Sequence, residues 1–309
     1  MTNPFDPNNN QQSDSEAAAS NRHAVFAAKN AEIAAMAGAG AGVPQFQTVP
    51  AGNSNFSVQI PVDAIPLPSK GLVYPANHAF FGKDSVEIRG MTTREEDILT
   101  SAALIKKGTV INELIKACLI DRSVDVTSLL SGDRNALMIA IRATGYGATY
   151  SPSITCPACE TKNELKVNLG DLKIKNLTIE PVSQGQNMFS YRLKNEKDVV
   201  TFRFLTGSDE EEILAQASMR KKKGIATSNL VTSRLLASIV AINGITDRNI
   251  VAQFVNVCPA HESNSLRRFI DDHEPGVDMA VDFACNNCEH YEEVALPMDA
   301  SFFWPNSKR

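Results

Sequence analysis

The chain has 309 residues, 43% of them hydrophobic and 21% charged, enough to bury a sizeable core without staples. Its formal net charge of −5 argues against a protein whose main work is holding nucleic acid, where phosphate neutralisation dominates binding. No run of about 18 apolar residues indicates a membrane span, and the N-terminus lacks the basic-then-apolar order of a signal peptide.

Residues 1–14 are polar, with four Asn and two Gln, and are expected to be disordered. The Ala-rich stretch 15–37 favours helix, but Val25, Phe26, Ile33 and Met36 are its only large apolar side chains, so it reads as a tail that orders at most on a partner. "GAGAG" (38–42) follows no strand and reads as linker rather than a phosphate loop. Alternation then predicts strands over 55–62 and 83–91, separated by the Pro-rich turn segment "IPLPSKGLVYP". One helix is predicted over "TTREEDILTSAALIKKG" (92–108), capped by Thr92 with Glu95 or Thr93 with Glu96. Others are predicted over 110–120, with Cys118 in the core, and over 133–145, stopped at "GYG".

Residues 147–169 read as strand, knuckle, strand. Strands are predicted over 187–193 and 198–205. "GSDEEEILAQASMRKKKG" (207–224) reads as a helix capped by Ser208 with Glu211, its acids at the start and its bases at the end, so "RKKK" is a solvated helix end. Further helices are predicted over 228–242 and 265–273. Residues 277–305 repeat strand, knuckle, strand and close on an aromatic tail. The reading is thus an α+β fold: small antiparallel elements with a helical subdomain, two knuckles closing over a long insertion, and a disordered tail. Its segments are 1–54 (tail and linker), 55–169 (first knuckle domain), 170–276 (insertion) and 277–309 (second knuckle and tail).

Four of the six cysteines form two CxxC pairs, Cys156/Cys159 and Cys285/Cys288, which suits metal ligation better than a disulfide framework. Each pair lies between candidate strands, and two such hairpins can enclose one tetrahedral zinc. Residues 160–284 lie between the pairs, so the metal would clamp the ends of a long excursion. "CPAH" competes: Cys258 and His261 with Cys285 and Cys288 would also complete a site, and spacing slightly favours this local pair whereas the flanking strands favour the distant one. Four buried thiols without metal is the plain alternative. His290 is a spare ligand candidate that reads better as a surface residue. Four thiolates close the coordination shell, which argues against catalytic zinc. No phosphate loop, nucleophile elbow, HExxH or dinucleotide motif is present, the five histidines are scattered, and "REED" (94–97) sits in a first helical turn where acids belong. The chain therefore reads as a non-enzyme.

"IPLPSKGLVYP", "IRGMTTREEDILTSAALIKKGTVINELIKACLID", "ATGYGATYSPSITCPAC" and "CNNCEHYEEVALPMDASFFWP" together resemble the baseplate hub protein family of T4-like contractile-tailed bacteriophages, over residues 58–175 and 277–305. The resemblance implies Cys156, Cys159, Cys285 and Cys288 as the ligand set for structural Zn2+. It implies other baseplate hub and tail proteins as partners, assembly in the infected bacterium's cytoplasm, and a place in the virion baseplate. The Asn- and Ala-rich N-terminus and "CPAH" do not map to the family. An assembly factor that leaves the finished particle fits the same sequence. A zinc-ribbon nucleic-acid binder fits it less well, because "ELKVNLGD" and "EHYEEV" beside the knuckles are neutral to acidic.

Overall fold

The structure, a computed structural model, describes residues 45–49, 58–224, 229–298 and 300–303. The chain divides into residues 1–45 and 46–309. The polar tail, the Ala-rich helix and the Gly-rich linker expected before residue 45 lie outside the described residues, as do Trp304 and Pro305.

Strands β1 (Gln45–Val49), β2 (Val58–Pro66) and β3 (Ser85–Arg89) form a sheet in that order, with β2 and β3 antiparallel from Val62↔Arg89 to Pro66↔Ser85. The "SKGLVYP" turns that follow β2 are pinned to the core by a buried carboxylate. Asp133 accepts from Ser69 N (2.9 Å), Ser69 Oγ (2.5 Å) and the Tyr74 hydroxyl (2.7 Å), and that hydroxyl accepts from Leu130 N (3.1 Å). Gly71 is required here: it has a φ of +67°, and a Cβ would lie 2.3 Å from Phe80 O.

Helices α1 (Thr93–Thr100) and α2 (Ala102–Lys107) stand where one helix was predicted. The break falls at Ser101, which is extended (φ −65°, ψ 103°), just after Thr100 Oγ1 has bonded back to Glu96 O and Asp97 O. Such local bonds compete with the helical ladder. Of the two caps considered, Thr92/Glu95 forms: the Glu95 carboxylate accepts from Thr92 N (3.0 Å) and Oγ1 (2.6 Å), and also pairs with both Arg89 guanidinium nitrogens (3.1 and 2.6 Å). Burial pushes the Glu95 carboxyl up, but these donors outweigh it and hold it below its ordinary value.

Helix α3 (Val110–Cys118) ends before Leu119, which bridges to Ile88, and Cys118 is fully buried in the core as expected. Helix α4 (Ser131–Tyr146) runs through the centre, with Leu137 and Ile141 fully buried. Small pairs follow: β4 (Thr149–Tyr150) with β7 (Val167–Asn168), and β5 (Ser153–Thr155) with β6 (Lys162–Glu164).

Strand β8 (Ile174–Lys175) pairs with β12 (Gly276–Val277), so the chain leaves and re-enters at one point. Gly132 permits this closure, since a Cβ there would sit 1.8 Å from Pro275 O. Between them lie β9 (Phe189–Arg192), β10 (Val199–Phe202) and β11 (Ile239–Ile242), in the sheet order β11-β10-β9, and helices α5 (Gly207–Lys222), α6 (Leu230–Ser238), α7 (Arg248–Val257) and α8 (Ala260–His273).

The helix predicted over 228–242 is present over Leu230–Ser238 and ends there. Ile239–Ile242 leaves the helix to pair with β10, for example Val200↔Ile242 and Phe202↔Ile239. An Ile-Val-Ala-Ile run packs well on a pleated surface, and the open edge of β10 needed partners. The cap of α5 also lies earlier than predicted. Thr206 and Asp209 form the reciprocal pair (Thr206 N to Asp209 Oδ2, 2.8 Å; Asp209 N to Thr206 Oγ1, 3.4 Å), which leaves Glu211 to Arg134 (2.9 Å). Helix α8 starts five residues before the predicted 265, and α7 escaped the sequence reading. Strands β13 (Ala280–Ala284) and β14 (Tyr291–Ala295) form the last hairpin, and a 3-10 turn at Ala300–Phe303 closes the described chain. The result is the expected α+β class: eight helices and several small antiparallel sheets among the described residues.

The apolar core runs from Leu67 to Phe303 as one cluster. The fully buried Arg142 ties the C-terminal turn to α4. Its guanidinium donates to Phe302 O (2.7 Å), Gly147 O (2.6 Å) and Thr149 O (3.1 Å).

Candidate metal centre

The two knuckles are built alike. In the β5–β6 turn, Cys156 N donates to Thr161 O (2.9 Å) and Glu160 N to Cys156 O (2.9 Å). In the β13–β14 turn, Cys285 N donates to His290 O (2.9 Å) and Glu289 N to Cys285 O (3.2 Å). Glu160 and Glu289 occupy the same place, each with a φ of 57°. The left-handed residue folds the chain back so that both cysteines of a knuckle point to one side.

The sulfurs converge. Cys156 Sγ lies 3.7 Å from Cys288 Sγ, and Cys159 Sγ lies 3.6 Å from Cys285 Sγ; all four sulfurs are within 4.8 Å of one another. Cys156 and Cys285 are buried above Phe283, Cys159 is half-buried and Cys288 is exposed. This is the one potential metal-binding group among the described residues. Cys258 and His261 are not in it: they lie at the junction of α7 and α8, where His261 Nε2 is 3.6 Å from Glu262. His290 is outside it as well, with Nε2 3.6 Å from Glu292.

Asn163, which the sequence reading did not single out, joins the knuckles. Its Oδ1 accepts from Asn286 N (2.9 Å), and its Nδ2 donates to Thr161 O (2.9 Å) and Cys285 Sγ (3.5 Å). Asn287 adds Nδ2 to Thr161 Oγ1 (3.2 Å) and its N–H to Cys285 Sγ (3.4 Å). No sequence signal marks it, because its burial between the exposed Lys162 and Glu164 of β6 is set by the fold.

Electrostatics fit a bound cation. Hydrogen bonds from the Thr161 hydroxyl and N–H, and from Asn287, hold the Cys159 thiol down to about 5. The Asn287 and Cys288 N–H groups lower Cys285. The N–H of His290 pulls Cys288 down too, but the neighbouring thiols outweigh it and push Cys288 up to about 12. Four adjacent thiolates repel, and a divalent ion among them removes that penalty. A tetrahedral ion with metal–sulfur bonds of about 2.3 Å separates its ligands by about 3.8 Å, close to the 3.7 and 3.6 Å of the Cys156–Cys288 and Cys159–Cys285 sulfur pairs. The four cysteines could hold a metal ion.

The model of the family described as T4 bacteriophage base plate protein matches residues 72–304. The chain belongs to this family. No curated protein and no solved structure matches it. It is a phage baseplate protein, and other phage tail proteins are its setting. The matched span of this baseplate protein takes in both knuckles and the whole excursion from β8 to β12, which the sequence resemblance had left out. No helix among its described residues is long and apolar enough to cross a membrane.

Proposed function

We propose that this baseplate protein is a non-enzymatic building part of the baseplate hub, and that Cys156, Cys159, Cys285 and Cys288 hold a structural zinc. The supporting observation is that four sulfurs from two cysteine pairs, one on either side of residues 160–284, meet within 4.8 Å. Zinc closed by four thiolates has no position for water and serves as a cross-link. It would fasten the return of the chain beside the β8–β12 pair, keeping the surfaces of the excursion fixed for other tail proteins.

A serine–histidine contact beside a cleft of about 410 Å³ does not speak for catalysis. His78 Nε2 lies 3.2 Å from Ser128 Oγ, but His78 Nδ1 accepts from Phe80 N (3.1 Å), so the proton sits on Nε2. The Ser128 hydroxyl donates to Asp125 O (2.7 Å). A general base needs a lone pair facing the nucleophile's proton, and here neither is available.

Elemental analysis of the purified chain should give one zinc per molecule. Cys156→Ser should release it and lower the melting temperature, because binding free energy is folding free energy. Cys258→Ser should do neither, and loss of metal from Cys258→Ser alone would overturn the ligand set. Mass spectrometry of purified particles separates a hub component, present in the virion, from an assembly factor that leaves.

A further inference from the structure

Helix α5 packs one side on the body, with Ile213 buried and Ala217 half-buried. Its other side carries large apolar groups in water: Leu214 and Met219 are each 62% exposed. Between these two flanks runs a seam of Glu211, Ala215, Ser218 and Lys222, at the alternating four- and three-residue spacing by which one helix faces another. Ala215 and Ser218 are small enough for close approach. Glu211 spends only its Oε1 on Asn112 (3.0 Å) and Arg134 (2.9 Å). Lys222 is exposed and in no ion pair among the described residues.

The seam is self-complementary. A second α5 turned end over end about the point between Gln216 and Ala217 sets Glu211 against Lys222 and Ala215 against Ser218, and each contact then occurs twice. The acidic start of each helix meets the basic end of the other, which also suits the helix dipoles. A parallel pairing would oppose like charges. We propose that the outer face of α5 docks a second copy of this chain, the two helices antiparallel across a two-fold axis beside Gln216 and Ala217. Such an interface is isologous and closes at two copies. Leu214 and Met219 of both chains then leave water on either side of the seam.

Sedimentation velocity of the full-length chain tests this. A dimer should grow in over roughly micromolar to 100 micromolar concentrations. Raising salt from about 0.05 to about 0.5 M should weaken it several-fold, as screening shortens to a few ångströms. Leu214→Lys with Met219→Lys should leave a monomer with unchanged melting temperature, and Lys222→Glu should weaken association at least tenfold. Register is read by mixing Ala215→Cys chains with Ser218→Cys chains and mapping disulfides: the mixed 215–218 product is expected. Should the double lysine variant fail to fold, the mixed cross-link decides alone. A monomer at every concentration, or a dimer indifferent to these substitutions, overturns the proposal and leaves the face to a different tail protein.

Discussion

Asn163 offers the sharpest test of how the candidate metal centre is held. Asn163→Ala deletes the side chain that accepts from Asn286 N and donates to Thr161 O and Cys285 Sγ. Two ordinary hydrogen bonds of about 1 kcal/mol each are lost, and an N–H inside the site is left without its acceptor at about 1–3 kcal/mol. Some relaxation is expected, so the net cost should be about 2–4 kcal/mol. For a body of this size that lowers the melting temperature on the order of 5–10 °C. The weak N–H···S bond also orients a ligand sulfur, and outer partners of this sort typically change metal affinity by about 10–100-fold. Asn163→Asp separates the two effects. It keeps the acceptor for Asn286 but loses both donors and sets a negative charge among thiolates, so it should hold metal less well than Asn163→Ala. The assay is calorimetric melting with metal bound, alongside metal transfer to a chromogenic chelator. Parental melting and parental chelator competition for both variants would refute the view that Asn163 joins the knuckles.

Arg142→Met should cost about 3–5 kcal/mol in urea unfolding and raise hydrogen exchange at residues 300–303, because three carbonyls lose one shared buried donor. Gly132→Ala should destabilise by at least about 1–3 kcal/mol, since its Cβ would meet backbone at Pro275 rather than a movable side chain; a neutral result by thermal melting would contradict the close approach of α4 and β12. Burial, with Glu210 and Asp271 adding repulsion against Arg234 and Lys175, raises the Glu274 carboxyl to about 7. A raised folded-state value means its contribution is full below the unfolded value of 4.5 and lost as pH rises through about 7. Glu274→Gln should therefore melt higher than the parent at pH 8 and match it at pH 4; equal melting at both would remove the assignment.

The sequence by itself determined what local chemistry controls. Spacing and flanking strands marked both knuckles, and Thr92 with Glu95 marked the start of α1, because a cap needs only residues within one turn. The residue texture was enough for the α+β class, and the family was legible in four quoted stretches. Tertiary structure decided what depends on partners distant in sequence. Ile239–Ile242 looks helical after Leu230–Ser238 until the edge of β10 supplies hydrogen bonds. The "CPAH" pair has ligand spacing, yet it became the break between α7 and α8, where Cys258 ends one helix and Pro259 starts the next. Asn163 and Arg142 show no local pattern for what they join, since Asn286 and Phe302 lie more than a hundred residues away from them. The gathering of the four sulfurs was of the same kind. Only the folding back of the chain at β8 and β12 brings Cys156 and Cys159 beside Cys285 and Cys288, and no rule of sequence spacing reports a distance closed through space.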